Sequence, residues 1–275
     1  MRLSDPRLSS ARMRGSFVVP TLNEERSIGE VLRTFRRAAD EANRTVLAGR
    51  PIAWELVVVD GASTDRTRAI AEAEGARVIV ERRRGYGRAY KTGFREATGD
   101  LLATSDGDGT YPVETIPTTA RKILDDGIDF LSGDRLTTVT RRSMTTEHRF
   151  GNALLNAFLR IAYHRYLTGL PGGTLVDSQS GYWVFRREVL DRVHLTSDGM
   201  AFSEELKVEA IVRGLRFVEM PIAYGERATP PKLQSGRDGL KNLLFLATKR
   251  FALARESRHG APLPFARGEG PSSPP

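Results

Sequence analysis

A chain of 275 residues that is 40% hydrophobic and 28% charged can bury a substantial core and is too apolar to remain disordered throughout. It has no cysteine, which excludes a disulfide framework, a thiolate metal site and a cysteine nucleophile. Its formal charge of +8 favours anionic partners, and nucleic acid, acidic lipid and phosphorylated small molecules all satisfy that electrostatic condition.

Residues 1–14 are basic but lack the apolar segment of a signal peptide, so they are expected to form a flexible leader. "SFVVP" predicts a short strand, and after "TLNEE" the spacing of Ile28, Val31, Leu32 and Phe35 predicts a helix. "WELVVVD" is a continuous β-branched run, the pattern of a strand covered on both faces in a parallel sheet. Its loop "GASTD" leads into a helix around "RTRAIAEAEG", with Asp65 suited to cap the start and Gly75 the end. "ARVIV" predicts a third strand, followed by the Gly-rich loop "RRRGYGRA" and a helix through "YKTGFREATG". "DLLATSD" predicts a fourth strand, "VETIPTTARKILDDG" a helix kinked at Pro117, and "IDFLSG" a fifth strand.

The second half alternates less regularly. Residues 149–163 predict an amphipathic helix, "DSQSGYWVFRREVL" begins as a strand and turns helical, "SEELKVEAIVRG" is a helix and "LRFVEMPI" a strand. "GRDGLKNLLFLATKRFALAR" predicts a closing amphipathic helix with Lys241, Lys249 and Arg250 on its polar side. Its apolar side suits an anionic bilayer or the protein core equally. Residues 256–275 are rich in Pro, Gly and Ser and are expected to be a disordered tail. The fold class expected over residues 15–255 is a single α/β domain, a mostly parallel sheet with helices on both faces. No segment approaches the ~18–20 apolar residues of a membrane-spanning helix.

In an open parallel sheet, ligands bind beyond the carboxyl ends of the strands. Pro20, Asp60 and Asp106 all lie at such ends. "TSDGDGTYP" then places Asp106 and Asp108 one residue apart, where alternation along an extended chain turns both carboxylates to one side. Like charges so close raise each other's pKa unless a cation intervenes, and a hard cation such as Mg²⁺ or Mn²⁺ uses one or two carboxylates plus phosphate oxygens. A solvated turn is the competing reading, because Asp, Gly and Thr are turn formers.

Other features favour structural roles. The Gly-rich loop lacks both the GxGxxG and the GxxxxGK[ST] spacing, so its glycines are read as close-packing positions, with Arg88 or Lys91 as an optional phosphate contact. His148, His164, His194 and His259 show no metal spacing. Glu204 and Glu205 open a helix, where the macrodipole favours acids whatever their function. Tyr182 and Trp183 are read as core, and "ERRR" as a solvated loop.

Taken in order, "VVPTLNEERSI", "VVVDGASTDRT", "GRAYKTGFREATGD", "SDGDGTYP" and "SQSGYWVFRREVL" resemble the family 2 glycosyltransferases of GT-A fold, and among them the dolichyl- or polyprenyl-phosphate sugar transferases. The resemblance spans roughly residues 15–250. It implies that Pro20, Leu22 and Glu24 line a nucleotide pocket, that Asp60 binds the base, and that Asp106 and Asp108 form a metal-binding DXD element with the backbone of Gly107 beside the sugar nucleotide. It further implies that Arg135, Arg227 and Lys232 hold the phosphates of donor and acceptor, with Asp108, Arg135 and Arg227 central to catalysis. Arg149, at the start of an amphipathic helix, joins this group as a cation able to meet a lipid headgroup.

The implied reaction is inverting, metal-dependent transfer of a sugar from a UDP- or GDP-linked donor to a polyprenyl phosphate, by a cytoplasmic protein on the membrane face. The alternatives are a sugar or secondary-metabolite hydroxyl as acceptor, or a non-catalytic nucleotide-sugar or nucleic-acid binding module; no nucleic-acid-binding motif supports the latter. The chain departs from the pattern at several points. "VDGAS" has one Asp where many relatives have two, Leu22 replaces a common tyrosine, Thr110 a common glutamine, and Pro230 and Pro231 a Gly-Ser pair. The QxxRW signature of processive synthases is absent, which argues against repeated sugar addition.

Overall fold

The computed structural model describes residues 13–138, 146–170, 173–225 and 235–258. The strands are β1 (Met13–Thr21), β2 (Ile52–Asp60), β3 (Arg77–Val80), β4 (Leu101–Thr104), β5 (Phe130–Asp134), β6 (Trp183–Arg186) and β7 (Phe217–Pro221). The helices are α1 (Ile28–Arg44), α2 (Thr67–Ala73), α3 (Tyr86–Glu96), α4 (Ile116–Asp126), α5 (Thr146–Ala162), α6 (His164–Leu167), α7 (Phe202–Val212) and α8 (Ser235–Arg258).

All seven strands form one sheet in the order β3-β2-β1-β4-β6-β5-β7. The pairs β1–β2, β2–β3, β1–β4 and β5–β7 are parallel. β6 runs antiparallel between β4 and β5. The predicted strand-helix alternation therefore builds a parallel sheet through β5, and the later strand-like stretch inserts into its middle. In register, Thr21 of β1 lies beside Asp60 of β2, and Val18 pairs with Thr104 of β4. The loops after β1, β2 and β4 consequently leave the sheet along one edge, at the place where the chain order reverses around β1.

Alternate strand residues feed opposite layers. Phe17, Val19 and Val58 pack with Ile28, Leu32 and Phe35 of α1 and Ile116, Ala120 and Ile123 of α4. Val18, Val57 and Val59 face the other layer, with Tyr90 and Phe94 of α3, Leu206 of α7, Leu159 of α5, and Leu246 and Leu253 of α8. A Cβ on Gly93 would come within 2.4 Å of Val18 Cγ1, so glycine in the loop-helix segment does serve close packing, as expected. Tyr182 and Trp183 are fully buried, also as expected.

Several expectations need correction. Pro117 does not kink a helix: Val113–Thr115 is a 3₁₀ turn and Pro117 lies in the first turn of α4, where its missing N–H costs nothing. The stretch after β6 makes only the 3₁₀ turn Arg187–Val189. β1 begins at Met13 and α8 runs to Arg258. The rest of the expected leader and tail lies outside the described residues.

α7 is buried along its whole length, Glu204, Glu205, Lys207 and Glu209 included, so its acids do more than complement a dipole. Lys249 does not belong to the polar side of α8. Its Nζ turns inward, 3.0 Å from Glu205 and 2.9 Å from Glu209, and donates to the His194 carbonyl at 2.6 Å. Among the described residues, no helix is long and apolar enough to cross a membrane.

Candidate active site

The loops after β1 and β2 are laced together by hydrogen bonds between residues distant in sequence. The backbone N–H groups of Asn23, Glu24 and Glu25 donate to Ser63 Oγ, Thr67 Oγ1 and Asp65 Oδ2 at 2.8, 2.8 and 3.2 Å. In return, Asn23 Oδ1 accepts from the N–H of Thr64 at 2.9 Å, and Glu25 Oε2 from that of Arg66 at 3.2 Å. Asp65 also accepts the Thr67 N–H at 3.0 Å, so it closes the start of α2 while holding the neighbouring loop. Asn23 and Ala62 both adopt left-handed backbone, at φ 52° and 63°. Such geometry is costly for alanine and persists only where its surroundings over-determine it.

Asp60 ends β2 fully buried beneath these loops. Its Oδ2 accepts the Ser63 N–H at 3.0 Å and lies 3.6 Å from Arg68 Nε, whereas Oδ1 is buried without a hydrogen-bond partner. A buried carboxylate oxygen lacking a donor is costly. Leu22 leaves its side chain 45% exposed at the same rim, Pro20 is half-buried, and Glu24 is buried.

The "DGD" turn follows β4 on the adjacent loop. Asp108 is buried, and its Oδ1 accepts both the N–H of Thr110 at 3.1 Å and its hydroxyl at 2.7 Å. Thr110 thus fixes the carboxylate beside it. Gly107 is confined: a Cβ there would meet Thr21 Cγ2 at 2.7 Å, and its carbonyl accepts the Ser27 hydroxyl at 2.7 Å. Asp106 is half-buried, with the hydroxyls of Tyr86 and Tyr90 at 3.3 and 3.4 Å from its Oδ1.

No cluster of three or more His, Asp or Glu side chains suited to a metal occurs among the described residues. The two aspartates still fit a hard cation that completes its shell with water and phosphate oxygens, because their oxygens are the donor type Mg²⁺ and Mn²⁺ prefer and two carboxylates suffice.

Arg135 follows β5 and is clamped by Asp177: Nε to Oδ2 is 2.7 Å, Nη2 to Oδ1 is 3.0 Å, and the Arg135 N–H also reaches Oδ2 at 3.0 Å. Its guanidinium lies 5.2 Å above the Tyr224 ring. Burial works against both charges, but the pairing prevails; it holds Asp177 at about 2 and keeps Arg135 above its ordinary range. The loop bearing Asp177 is itself held from below. Glu219 accepts the N–H groups of Val176 and Asp177 at 2.6 and 2.9 Å, and Lys207 donates to the Asp177 carbonyl at 2.6 Å.

Burial drives Lys207 down to about 8 and Glu204 up to about 7. Glu204 Oε1 accepts from Gln179 at 3.2 Å and Asn242 at 3.0 Å, while its Oε2 has no partner.

The structure thus gathers Pro20, Leu22, Glu24, Asp60, Asp106, Gly107 and Asp108 along one rim, and gives Arg135 an internal carboxylate partner that the sequence did not reveal. Arg149 falls on α5, but its side chain, like the whole of Arg227 and Lys232, lies outside the described residues. Arg88 and Lys91 both pair with Asp198, Lys91 with Oδ1 and Arg88 with Oδ2, so the optional phosphate contact gives way to an internal one. Asp177, Lys207, Glu219, Tyr86 and Tyr90 escaped the sequence reading. Only the acid in "VDSQSG" and the doubled tyrosine spacing in "GYGRAY" hinted at them.

The family model described as "Glycosyl transferase family 2" matches residues 16–193. A dolichyl-phosphate hexose transferase of Haloferax volcanii is 38% identical over 219 residues, covering 78% of this chain and 85% of that protein. The low-salt glycan biosynthesis hexosyltransferase Agl6 of the same organism is 34% identical over 233 residues; the match covers 84% of this chain and about half, 52%, of the relative. Among solved structures, glucosyl-3-phosphoglycerate synthase of Mycobacterium tuberculosis, in complex with Mn²⁺, UDP-glucose and phosphoglyceric acid, superposes with a TM-score of 0.64 at 21% identity. That superposition covers 89% of this chain and 82% of the other.

Proposed function

Because this chain belongs to glycosyl transferase family 2 and is a glycosyltransferase of GT-A fold, we propose that it transfers a hexose from a nucleoside diphosphate donor to a polyprenyl phosphate at the cytoplasmic face of a membrane. The observation that carries this reading is the pinned carboxylate pair of the "DGD" turn, set at the rim beside the interlaced loops after β1 and β2. Asp106 and Asp108 would hold Mg²⁺ or Mn²⁺, and what such an ion supplies is neutralisation of the leaving diphosphate. The family members named above support the acceptor, and the Mn²⁺ and UDP-glucose complex of the fold neighbour supports the donor class.

Asp60 Oδ1, buried without a donor, is suited to accept an N–H of the base; uracil and guanine both offer one. Leu22 gives the base an apolar wall. In transfer, an oxygen of the acceptor phosphate attacks the anomeric carbon opposite the leaving group. The new carbon–oxygen bond forms as the bond to the donor's diphosphate breaks, the diphosphate keeps the electron pair, and the configuration inverts. A phosphate monoester has its second pKa near ~6, so at neutral pH the nucleophile is largely a dianion and needs no side-chain base. The demand shifts to cations that bring two anions together, the role proposed for Arg135, Arg149, Arg227 and Lys232.

A membrane-facing surface also has support. α5 and α8 pack on one another, with Arg250 Nε donating to the Ala162 carbonyl at 2.6 Å. Each exposes two large apolar residues seven apart, Leu154 and Ile161 on α5, Leu244 and Phe251 on α8. No acid occurs in residues 148–176 or 239–255, while Arg160, Arg165, Lys241 and Arg255 are exposed there. That composition suits an interfacial face on anionic lipid.

The decisive experiment incubates the protein with a panel of UDP- and GDP-sugars and Mn²⁺, with and without a polyprenyl phosphate. Formation of a lipid-linked sugar phosphate of inverted configuration is expected. Donor consumption that is indifferent to the lipid phosphate and follows an added sugar hydroxyl would overturn the acceptor assignment.

A further inference from the structure

The Gly-rich segment "RGYGRAYKTG" binds no phosphate in the reading above, yet it delivers two phenols to the candidate metal site. Tyr86 opens α3 and Tyr90 follows one turn later, so both stand on the same face of the helix. Their hydroxyls approach the same oxygen, Asp106 Oδ1, at 3.3 and 3.4 Å. The rings are locked from behind. Tyr90 stacks on Phe202 at 5.8 Å and lies 4.9 Å from Trp183, and Tyr86 meets Tyr90 edge to face at 4.9 Å.

The backbone around them is shaped to admit this group. Gly85, immediately before Tyr86, has φ 144°, and a Cβ there would come within 2.2 Å of the Asp198 carbonyl. On the opposite side, a Cβ on Gly181 would meet the Tyr86 hydroxyl at 2.6 Å and Asp106 Oδ1 at 3.2 Å. Gly181 in turn donates its N–H to the Tyr111 hydroxyl at 2.8 Å. Gly181 thus leaves room for the phenols around this carboxylate, while Gly85 lets the chain enter α3 close against the Asp198 backbone. A phenol carries its proton at neutral pH, so both hydroxyls are available as donors to this carboxylate.

We propose that Tyr86 and Tyr90 are positioning residues for the cation site, their hydroxyls fixing the Asp106 carboxylate in the orientation in which it takes a divalent metal. A ligating carboxylate held by outer hydrogen bonds neither swings nor needs reordering when the metal arrives, and loss of such partners typically weakens metal binding ~10–100-fold. The proposal rests on the reading of Asp106 and Asp108 as metal ligands, and its test separates the two.

Free Mn²⁺ is counted by electron paramagnetic resonance while the full chain is titrated in the presence of UDP. Native protein is compared with Tyr86→Phe, Tyr90→Phe, the double variant, Asp106→Asn and Asp108→Asn. Phenylalanine keeps the ring packing, and a melting curve verifies each fold. The single tyrosine variants are expected to bind Mn²⁺ about 10-fold more weakly and the double variant up to about 100-fold, with transfer recovering as Mn²⁺ is raised. Should folded tyrosine variants bind Mn²⁺ within twofold of native while the aspartate variants lose it, the positioning role is wrong and the metal site stands. If the aspartate variants bind Mn²⁺ like the native chain, the metal site falls and the positioning role with it.

Discussion

Two acids in this molecule owe opposite behaviour to their immediate neighbours. Asp108 is buried but supplied with donors, since Thr110 gives Oδ1 both its N–H and its hydroxyl. Asparagine preserves that acceptor and the side-chain shape while removing the charge. Asp108→Asn is therefore expected to melt within a few degrees of native and to lose transfer by about 10²–10³-fold, the scale seen when one preorganised electrostatic group is removed from a reaction centre. Native turnover by this variant with metal chelated would refute the site. Glu204, by contrast, is buried with an unpartnered oxygen, and burial raises its carboxyl from the ordinary 4.5 to about 7. A carboxyl that resists ionisation when folded adds stability that is complete below the ordinary carboxyl range and is lost as pH rises towards about 7. The expected loss is on the order of 3 kcal/mol. Glutamine mimics the protonated form, so urea titrations at pH 4.5 and 8 should show native stability falling relative to Glu204→Gln, and a constant difference would mean that Glu204 is ionised throughout. Because a phosphate acceptor needs no base, Glu204→Gln should also keep most of its transfer activity; loss by orders of magnitude in a folded, donor-binding variant would favour a hydroxyl acceptor.

Among the elements, α7 and α8 show why some of this architecture could be read from the sequence and some could not. β1 to β5 and their helices were legible because each carries its own periodicity: three consecutive buried residues in "FVV", and the α1 stripe Ile28, Val31, Leu32 and Phe35. The insertion of β6 between β4 and β5 was not, since a four-residue strand has no local sign of its partner or direction. In the site, the "DGD" pair and the strand-end positions Pro20, Asp60 and Asp106 followed from chain order, whereas Leu22, Glu24 and Gly107 came only from the family resemblance. The Asp177 clamp on Arg135 spans 42 residues and the phenol pair reaches Asp106 across 20 and 16, distances over which pattern says nothing. α7 is the extreme case: Glu204 and Glu205 read as acids favoured by a helix dipole, whereas the helix is buried and two of its acids, Glu205 and Glu209, pair with Lys249. Lys249→Met removes the cation shared by Glu205 and Glu209, leaving Glu205 with the Thr196 and Ser197 donors and Glu209 with the His194 N–H and Arg213 at 3.1 Å. Removing one member of a buried ion cluster typically costs about 3–5 kcal/mol. The urea midpoint of Lys249→Met should fall accordingly with an unchanged slope, whereas a midpoint near native would show that α8 is not anchored through this charge.

At the scale of the molecule, the proposed membrane face and the proposed catalytic rim are joined through α5. Asn156 on that helix donates to the Val176 carbonyl at 2.7 Å and accepts the Ser178 N–H at 3.4 Å, and Asp177 between them grips Arg135. A bilayer seated on α5 and α8 would thus steady the loop that orients a phosphate-binding candidate, while the polyprenyl chain stays in lipid. Deleting α8 cannot test this, because Leu246, Lys249 and Leu253 are buried and their loss would unfold the domain. Substitutions confined to the exposed face can. Leu154→Ser with Ile161→Ser, and Leu244→Ser with Phe251→Ser, should leave stability nearly unchanged, since exposed positions away from special features usually shift it by less than about 0.5 kcal/mol. Each buried apolar side chain contributes up to about 1.5–3 kcal/mol to association with an apolar phase. Flotation on vesicles of phosphatidylglycerol and phosphatidylcholine should therefore weaken by at least about tenfold for each pair. Binding should also fall as salt is raised, because the flanking Arg160, Arg165, Lys241 and Arg255 act through a screened field. Transfer to a short, water-soluble prenyl phosphate should remain close to native in both pairs, while transfer to a long-chain acceptor in vesicles drops with the binding. Unchanged flotation by both pairs would mean that these apolar residues meet something other than lipid, and the acceptor would then have to reach the rim by another path.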